Sequence, residues 1–152
     1  MNRFLATPKI ELRILPQGLE SFGAVLLLLS RLKGYETAHF GPLARAVTMQ
    51  IERGTHIAAF NGNMLIGYAG GLPIDEAKAE FWLKGDGGLT VLPKGMKTKA
   101  WSVSVFASYD QQIVRLMLRY LRGHYPGVTV YFRRDYADGR KSERKKLVVG
   151  KI

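Results

Sequence analysis

Hydrophobic positions along the chain change period several times, and each change marks an element. Ile10, Leu12 and Ile14 alternate with charged residues, the pattern of a half-buried strand, and Pro16-Gln17-Gly18 breaks it. Across residues 19–33 the apolar side chains Phe22, Val25, Leu26, Leu29 and Leu32 recur at three and four, which predicts a helix with Gly34 as its C-cap. A second helical pattern starts around Pro42, places Leu43, Ala46, Val47, Gln50 and Ile51 on related faces, and stops at Gly54. The loop ahead of it holds His39. Two apolar runs, 56–60 and 64–69, flank Asn61-Gly62-Asn63, a hairpin signal because both turn positions tolerate positive φ.

Residues 73–84 open with proline and acidic side chains and close on lysine, the charge order that a helix dipole favours. A Gly- and Lys-rich loop follows over 85–99, then a strand over 101–107. Asp110 is placed to cap a helix with Ile113, Leu116, Met117, Tyr120 and Leu121 along one side, and Tyr125-Pro126-Gly127 ends it. Residues 128–132 are a β-branched and aromatic strand, and 133–146 form a charged arm whose Asp138-Gly139 turn allows a last strand. The expected architecture is α/β: one domain over 1–152, with a mixed central sheet flanked by helices. The unit over 101–132 requires a right-handed crossover that leaves its two strands parallel or nearly neighbouring. This order of elements resembles the GNAT acyltransferase fold, in which a cofactor enters where two central strands splay.

Length and composition narrow the class. The 152 residues are 47% hydrophobic, enough for one sizeable core and too apolar for disorder. Lys and Arg number 23 against 12 Asp and Glu, a formal +11, which favours an anionic partner: nucleic acid, an acidic protein or a phosphorylated cofactor. Without cysteine there is no disulfide framework, thiolate nucleophile or Cys-based zinc site, so the expected setting is cytoplasmic, with a virion as the alternative. The longest apolar stretch, 22–29, is far below the roughly 20 residues of a membrane span and reads as a core helix, and no secretory pattern precedes it.

The phosphate-binding P-loop, the paired-histidine zinc helix and the nucleophilic-serine elbow have no match here. His39, His56 and His124 lie in different elements without carboxylates at ligand spacing, so no metal site is expected. His39, in Ala38-His39-Phe40-Gly41-Pro42, is positioned to approach a substrate amine as a general base; the plainer reading is a surface or capping histidine. His56 and His124 read as structural or solvent-facing. The arm over 133–146 gathers seven basic residues, among them Arg133, Arg134, Arg140, Lys141, Arg144 and Lys145, suited to phosphates, nucleic acid or an acidic carrier protein. A solvated strand-and-turn face is its commonest meaning.

Four segments carry a resemblance to the RTX toxin-activating lysine acyltransferases, which are GNAT-like in fold: Glu36-Thr-Ala-His39-Phe-Gly-Pro42, Asn63-Met-Leu-Ile-Gly-Tyr-Ala69, Lys97-Thr-Lys-Ala-Trp101-Ser-Val-Ser-Val-Phe-Ala107, and Tyr131-Phe-Arg-Arg-Asp-Tyr-Ala-Asp-Gly139-Arg-Lys141. The resemblance implies transfer of a fatty acyl group from acyl carrier protein to a lysine ε-amine of a protein substrate, with no bound cofactor. It casts His39 as the base. Family members pair that histidine with an aspartate on the Trp-containing strand, and this chain has Ser104 there, a side chain that can hydrogen-bond an imidazole without supplying a negative charge. The segment Ser108-Tyr-Asp-Gln-Gln112 also lacks the Arg/Gln-x-x-Gly-x-Gly/Ala loop with which coenzyme A-dependent GNAT enzymes bind pyrophosphate. The alternative expectation is an inactive GNAT-like protein whose basic arm contacts nucleic acid or virion subunits. Homo-oligomerisation is compatible with either.

Overall fold

The computed structural model describes residues 9–134 and 141–150, so Arg140 falls outside the described residues. The elements run β1 (Ile10–Arg13), α1 (Leu19–Ser30), α2 (Phe40–Arg53), β2 (His56–Asn61), β3 (Met64–Pro73), α3 (Glu76–Leu83), β4 (Ala100–Ser108), α4 (Gln111–His124), β5 (Thr129–Arg134) and β6 (Glu143–Val148). The six strands lie side by side in chain order in one mixed sheet. Every neighbouring pair is antiparallel except β4 and β5, which α4 connects and which pair parallel, as a crossover connection allows.

Helices cover both faces. On one, Val25, Leu28 and Leu29 of α1 and Val47 and Ile51 of α2 pack on Ala58, Tyr68, Val105 and Ala107. On the other, Ile113 and Met117 of α4 pack on Ile57, Ala59, Ile66 and Ala69. Because both faces of β2 and β3 are buried, these strands read as continuous apolar runs rather than an alternation. A smaller cluster joins Ala79 and Trp82 of α3 to Ile74, Ala100 and Tyr131.

The boundaries differ from the sequence expectation where glycine and proline mislead. β3 continues through Gly70 and Gly71 to Pro73, and α3 starts only at Glu76, capped by the Asp75 carboxylate accepting from the Lys78 N–H at 2.9 Å. Gly34 lies inside a 3-10 turn, Lys33–Tyr35, instead of capping α1. α2 begins two residues ahead of Pro42, so His39 is its N-cap residue and Pro42 sits in the first turn, where a missing N–H costs nothing. At the other end Gly54, with φ +67°, closes α2 in the left-handed conformation, and the Thr55 N–H bonds back to the Gln50 carbonyl at 3.0 Å.

His56 is buried between the end of β1 and the end of α2. Its Nε2 accepts from the Leu15 N–H at 2.8 Å, its Nδ1–H donates to the Gln50 carbonyl at 3.0 Å, and its ring stacks on Tyr68 at 5.6 Å. Both ring nitrogens are used, and an acceptor at Nε2 fixes the neutral form. Burial pushes the His56 pKa below its ordinary 6.5, outweighing the Gln50 carbonyl, which acts the other way. Among the described residues no helix is long and apolar enough to cross a membrane.

Two outcomes follow for stability. The unfolded chain takes up a proton at His56 near pH 6.5 while the folded chain resists it, so unfolding free energy should be level above pH 7 and fall below about 6.5, by up to about 1.4 kcal/mol per pH unit. Urea titrations between pH 5 and 8 check this, and His56→Gln should flatten that slope. A Cβ on Gly71 would lie 2.5 Å from the Ser102 carbonyl oxygen, whereas one on Gly23 of α1 meets nothing within 4 Å. Gly71→Ala should therefore destabilise by roughly 1–3 kcal/mol and Gly23→Ala stabilise by up to about 1 kcal/mol, both read by chemical denaturation.

Candidate active site

β4 and β5 stay together for three residue pairs, Ala100 with Thr129, Trp101 with Val130 and Ser102 with Tyr131. Beyond Ser102, β4 continues to Ser108 beside β3, and β5 continues to Arg134 beside β6, so the two strands part into a V at their C-terminal ends. The divergence has a local cause. In the β3–β4 register Gly70 faces Val105 and Gly71 faces Val103, which leaves Ser104 as an extra residue on β4. Such a bulge bends its strand and increases the local twist.

The bulge is held from below by a buried polar chain. Gln50 of α2 is 0% exposed, and its Oε1 accepts from the Tyr68 hydroxyl at 2.8 Å while its Nε2 donates to Ser104 Oγ at 2.7 Å. Gly70 makes room for this, because a Cβ there would overlap the Gln50 amide oxygen. Tyr68 is itself fully buried, and burial raises its pKa, so the phenol stays a neutral donor.

Farther along β4 the Phe106 N–H points away from β3 and donates to the Tyr35 hydroxyl at 3.2 Å. Tyr35 comes from the 3-10 turn after α1, and the Ala38 N–H bonds back to its carbonyl at 3.2 Å, keeping the start of α2 close to that turn. Tyr35 is also a wall of an apolar groove of about 490 Å³ between α1 and α2, together with Leu26, Leu27, Leu29, Ala38 and Phe40. Phe40, at 69% exposure, stands at its rim.

His39 is exposed at the start of α2, and among the described residues no hydrogen bond reaches its ring. Ser104, in contrast, is tied to Gln50, which lies eleven residues farther along the same helix, about 16 Å of rise from His39. The structure thus joins Ser104 to Gln50 and leaves His39 at the opposite end of α2.

The basic residues separate into groups. Arg133 and Arg134 are exposed at the C-terminal end of β5, one lip of the V. Lys141 is exposed. Arg144 lies over the Trp82 ring, 5.0 Å from its centroid, and donates to the Trp82 carbonyl at 2.7 Å, while Lys145 pairs with Glu143 at 3.3 Å. Arg144 therefore fastens β6 to α3, as does Lys146 through Glu80 at 2.9 Å. A further set, Arg115, Arg119 and Arg122, lines the exposed face of α4 at helical spacing. The other lip of the V is the start of α4, where the Asp110 carboxylate accepts from the Ile113 N–H at 3.1 Å. Among the described residues no three His, Asp or Glu side chains gather as a metal-binding set.

Tyr35, Gln50 and Tyr68 escape a motif search. The available signals were a glutamine on the apolar stripe of α2, a tyrosine inside an apolar strand, and two adjacent glycines in that strand.

No family model and no curated protein sequence matches this chain. Solved structures do match in fold. A GNAT family acetyltransferase from Brucella melitensis in complex with acetyl-CoA superposes with a TM-score of 0.56 at 11% identity, covering 95% of this chain and 90% of that one. The PaiA N-acetyltransferase from Thermoplasma acidophilum, in complex with coenzyme A, gives 0.54 at 10% identity over 86% and 82%, and the loading GNATL domain of CurA from Lyngbya majuscula gives 0.53 at 12% over 86% and 68%. At these identities the likeness is one of architecture. The chain has a GNAT-type α/β fold, a mixed sheet between helical layers, opened between β4 and β5.

Proposed function

We propose that this protein transfers an acyl group at the V between β4 and β5, from a thioester on acyl carrier protein to the ε-amine of a protein lysine, with His39 as the base. The observation that carries the reading is the V itself: two parallel strands that part after three pairs, between which an extended thioester arm would enter. Coenzyme A does not fit the start of α4. Residues 108–112 contain neither glycine nor a cation, and the Asp110 carboxylate already occupies the helix N-terminus, where it would repel a pyrophosphate. A carrier-borne arm brings the thioester without that group. The formal +11 charge and the exposed Arg133 and Arg134 favour an acidic carrier at the mouth, and the α1–α2 groove suits an apolar chain.

In this reaction the neutral lysine nitrogen attacks the thioester carbonyl carbon at the V, and its proton passes through water at the mouth to the His39 imidazole at the start of α2. The carbon–sulfur bond then breaks, and the proton passes to the departing thiolate, giving an Nε-acyl-lysine and the free carrier thiol. The resemblance of the His39 segment to toxin-activating enzymes supports the same assignment. A second reading, a non-catalytic GNAT-like protein that contacts nucleic acid or virion subunits, draws on the isolated His39 ring and on Arg115, Arg119 and Arg122.

Carrier protein loaded with radiolabelled fatty acyl chains of several lengths, mixed with a lysine-containing acceptor protein, tests this. Label should move to lysine and free thiol should appear, His39→Ala should lower the rate by on the order of a hundredfold or more, and acetyl-CoA should be a poor donor. Absence of transfer at every chain length, together with salt-sensitive nucleic-acid binding that weakens when Arg115, Arg119, Arg133 and Arg134 are neutralised, would establish the second reading instead.

A further inference from the structure

We infer that Ser104 is an oxyanion donor: its hydroxyl hydrogen-bonds the thioester oxygen as negative charge develops there, and Gln50 and Tyr68 are positioning residues that aim it. The inference rests on the acyl-transfer reading above and replaces the imidazole-partner role that the family resemblance implies for this position.

The direction of the buried hydrogen bonds carries it. The Tyr68 hydroxyl donates to Gln50 Oε1, and Gln50 Nε2 donates to Ser104 Oγ. A serine hydroxyl has a single proton, and with Gln50 donating to its oxygen that proton is directed away from α2. Each bond polarises the next in the same sense, so the chain of donors ends on an outward O–H. Ser104 is exposed, is the extra residue of the bulge, and lies two positions past the last β4–β5 pair, at the root of the V. Its neighbour on the strand edge, the Phe106 N–H, is already bound to Tyr35.

The arrangement is also costly to build. A fully buried amide and phenol need every polar atom satisfied, and Gly70 must go without a side chain to admit the Gln50 oxygen. Leucine and phenylalanine could fill much the same space without that demand. What the polar pair achieves that an apolar pair would not is the fixed orientation of the Ser104 hydroxyl.

During transfer Ser104 gives up no proton. As the lysine nitrogen adds to the carbonyl carbon, the π electrons move onto oxygen and the Ser104 O–H···O contact strengthens. When the carbon–sulfur bond breaks, the carbonyl re-forms and the contact relaxes.

Steady-state kinetics with acyl carrier thioester on the full chain, for the wild type, Ser104→Ala, Ser104→Thr, Tyr68→Phe and the Ser104→Ala/Tyr68→Phe double variant, test the assignment. Ser104→Ala should lower kcat by on the order of a hundredfold while KM stays within about twofold, and Ser104→Thr, which keeps the hydroxyl, should recover most of the loss. Tyr68→Phe should lower kcat several-fold alone and cost nothing further once Ser104 is alanine, because it acts through that hydroxyl. Wild-type kcat in Ser104→Ala, a change confined to KM, or additive losses in the double variant would overturn the assignment while leaving the transferase reading standing. A wild type that leaves the carrier thioester intact would overturn both.

Discussion

The amide of Gln50 is the contact on which the arrangement of this molecule turns. It is wholly buried, and it joins α2 to β3 through Tyr68 and to β4 through Ser104, while the main-chain carbonyl of the same residue receives Thr55 N–H and the ring of His56. One residue thus ties a helix to two central strands and, through His56, to the end of the edge strand. A polar group so placed is tolerated only because each of its atoms finds a partner. Removing either partner would leave an unpaired group in the core, which costs about 1–3 kcal/mol and loosens the strand that bounds the V.

Glycine makes that junction possible. Gly70 clears space for the amide, and Gly71 lets the chain pass close to the Ser102 carbonyl, so β3 and β4 shift register by one at Ser104. The shift turns the free end of β4 aside just where β5 leaves it. Packing, register and the opening of the sheet therefore share one origin, and the helix that follows β4 is set onto β3 by a third small residue, Gly67, against Ile113.

Much of this was legible in the chain. The three-and-four spacing located α1, α2 and α4, Asn61-Gly62-Asn63 located the β2–β3 turn, and Asp110 was readable as a cap because its carboxylate acts on a neighbour three residues away. What stayed hidden depends on partners distant in sequence. Arg144 belonged to a run of charge until the fold laid it over Trp82, 62 residues away. The sequence expectation brings Ser104 to the His39 ring, yet the length of α2 stands between them, and a spacing of 65 positions says nothing about that. Gln50 did signal itself, as a polar residue on an apolar face, but its meaning came from Tyr68 and Gly70 on another strand.

The carboxylate at the beginning of α4 has a consequence for how such a protein would live in a cell. On the carrier-protein reading, the Asp110 carboxylate at the doorway would disfavour a nucleotide thioester resting there. On that reading the cleft would be insulated from the energetic state of its host. Its occupancy would follow the supply of a partner macromolecule rather than the tide of central metabolism.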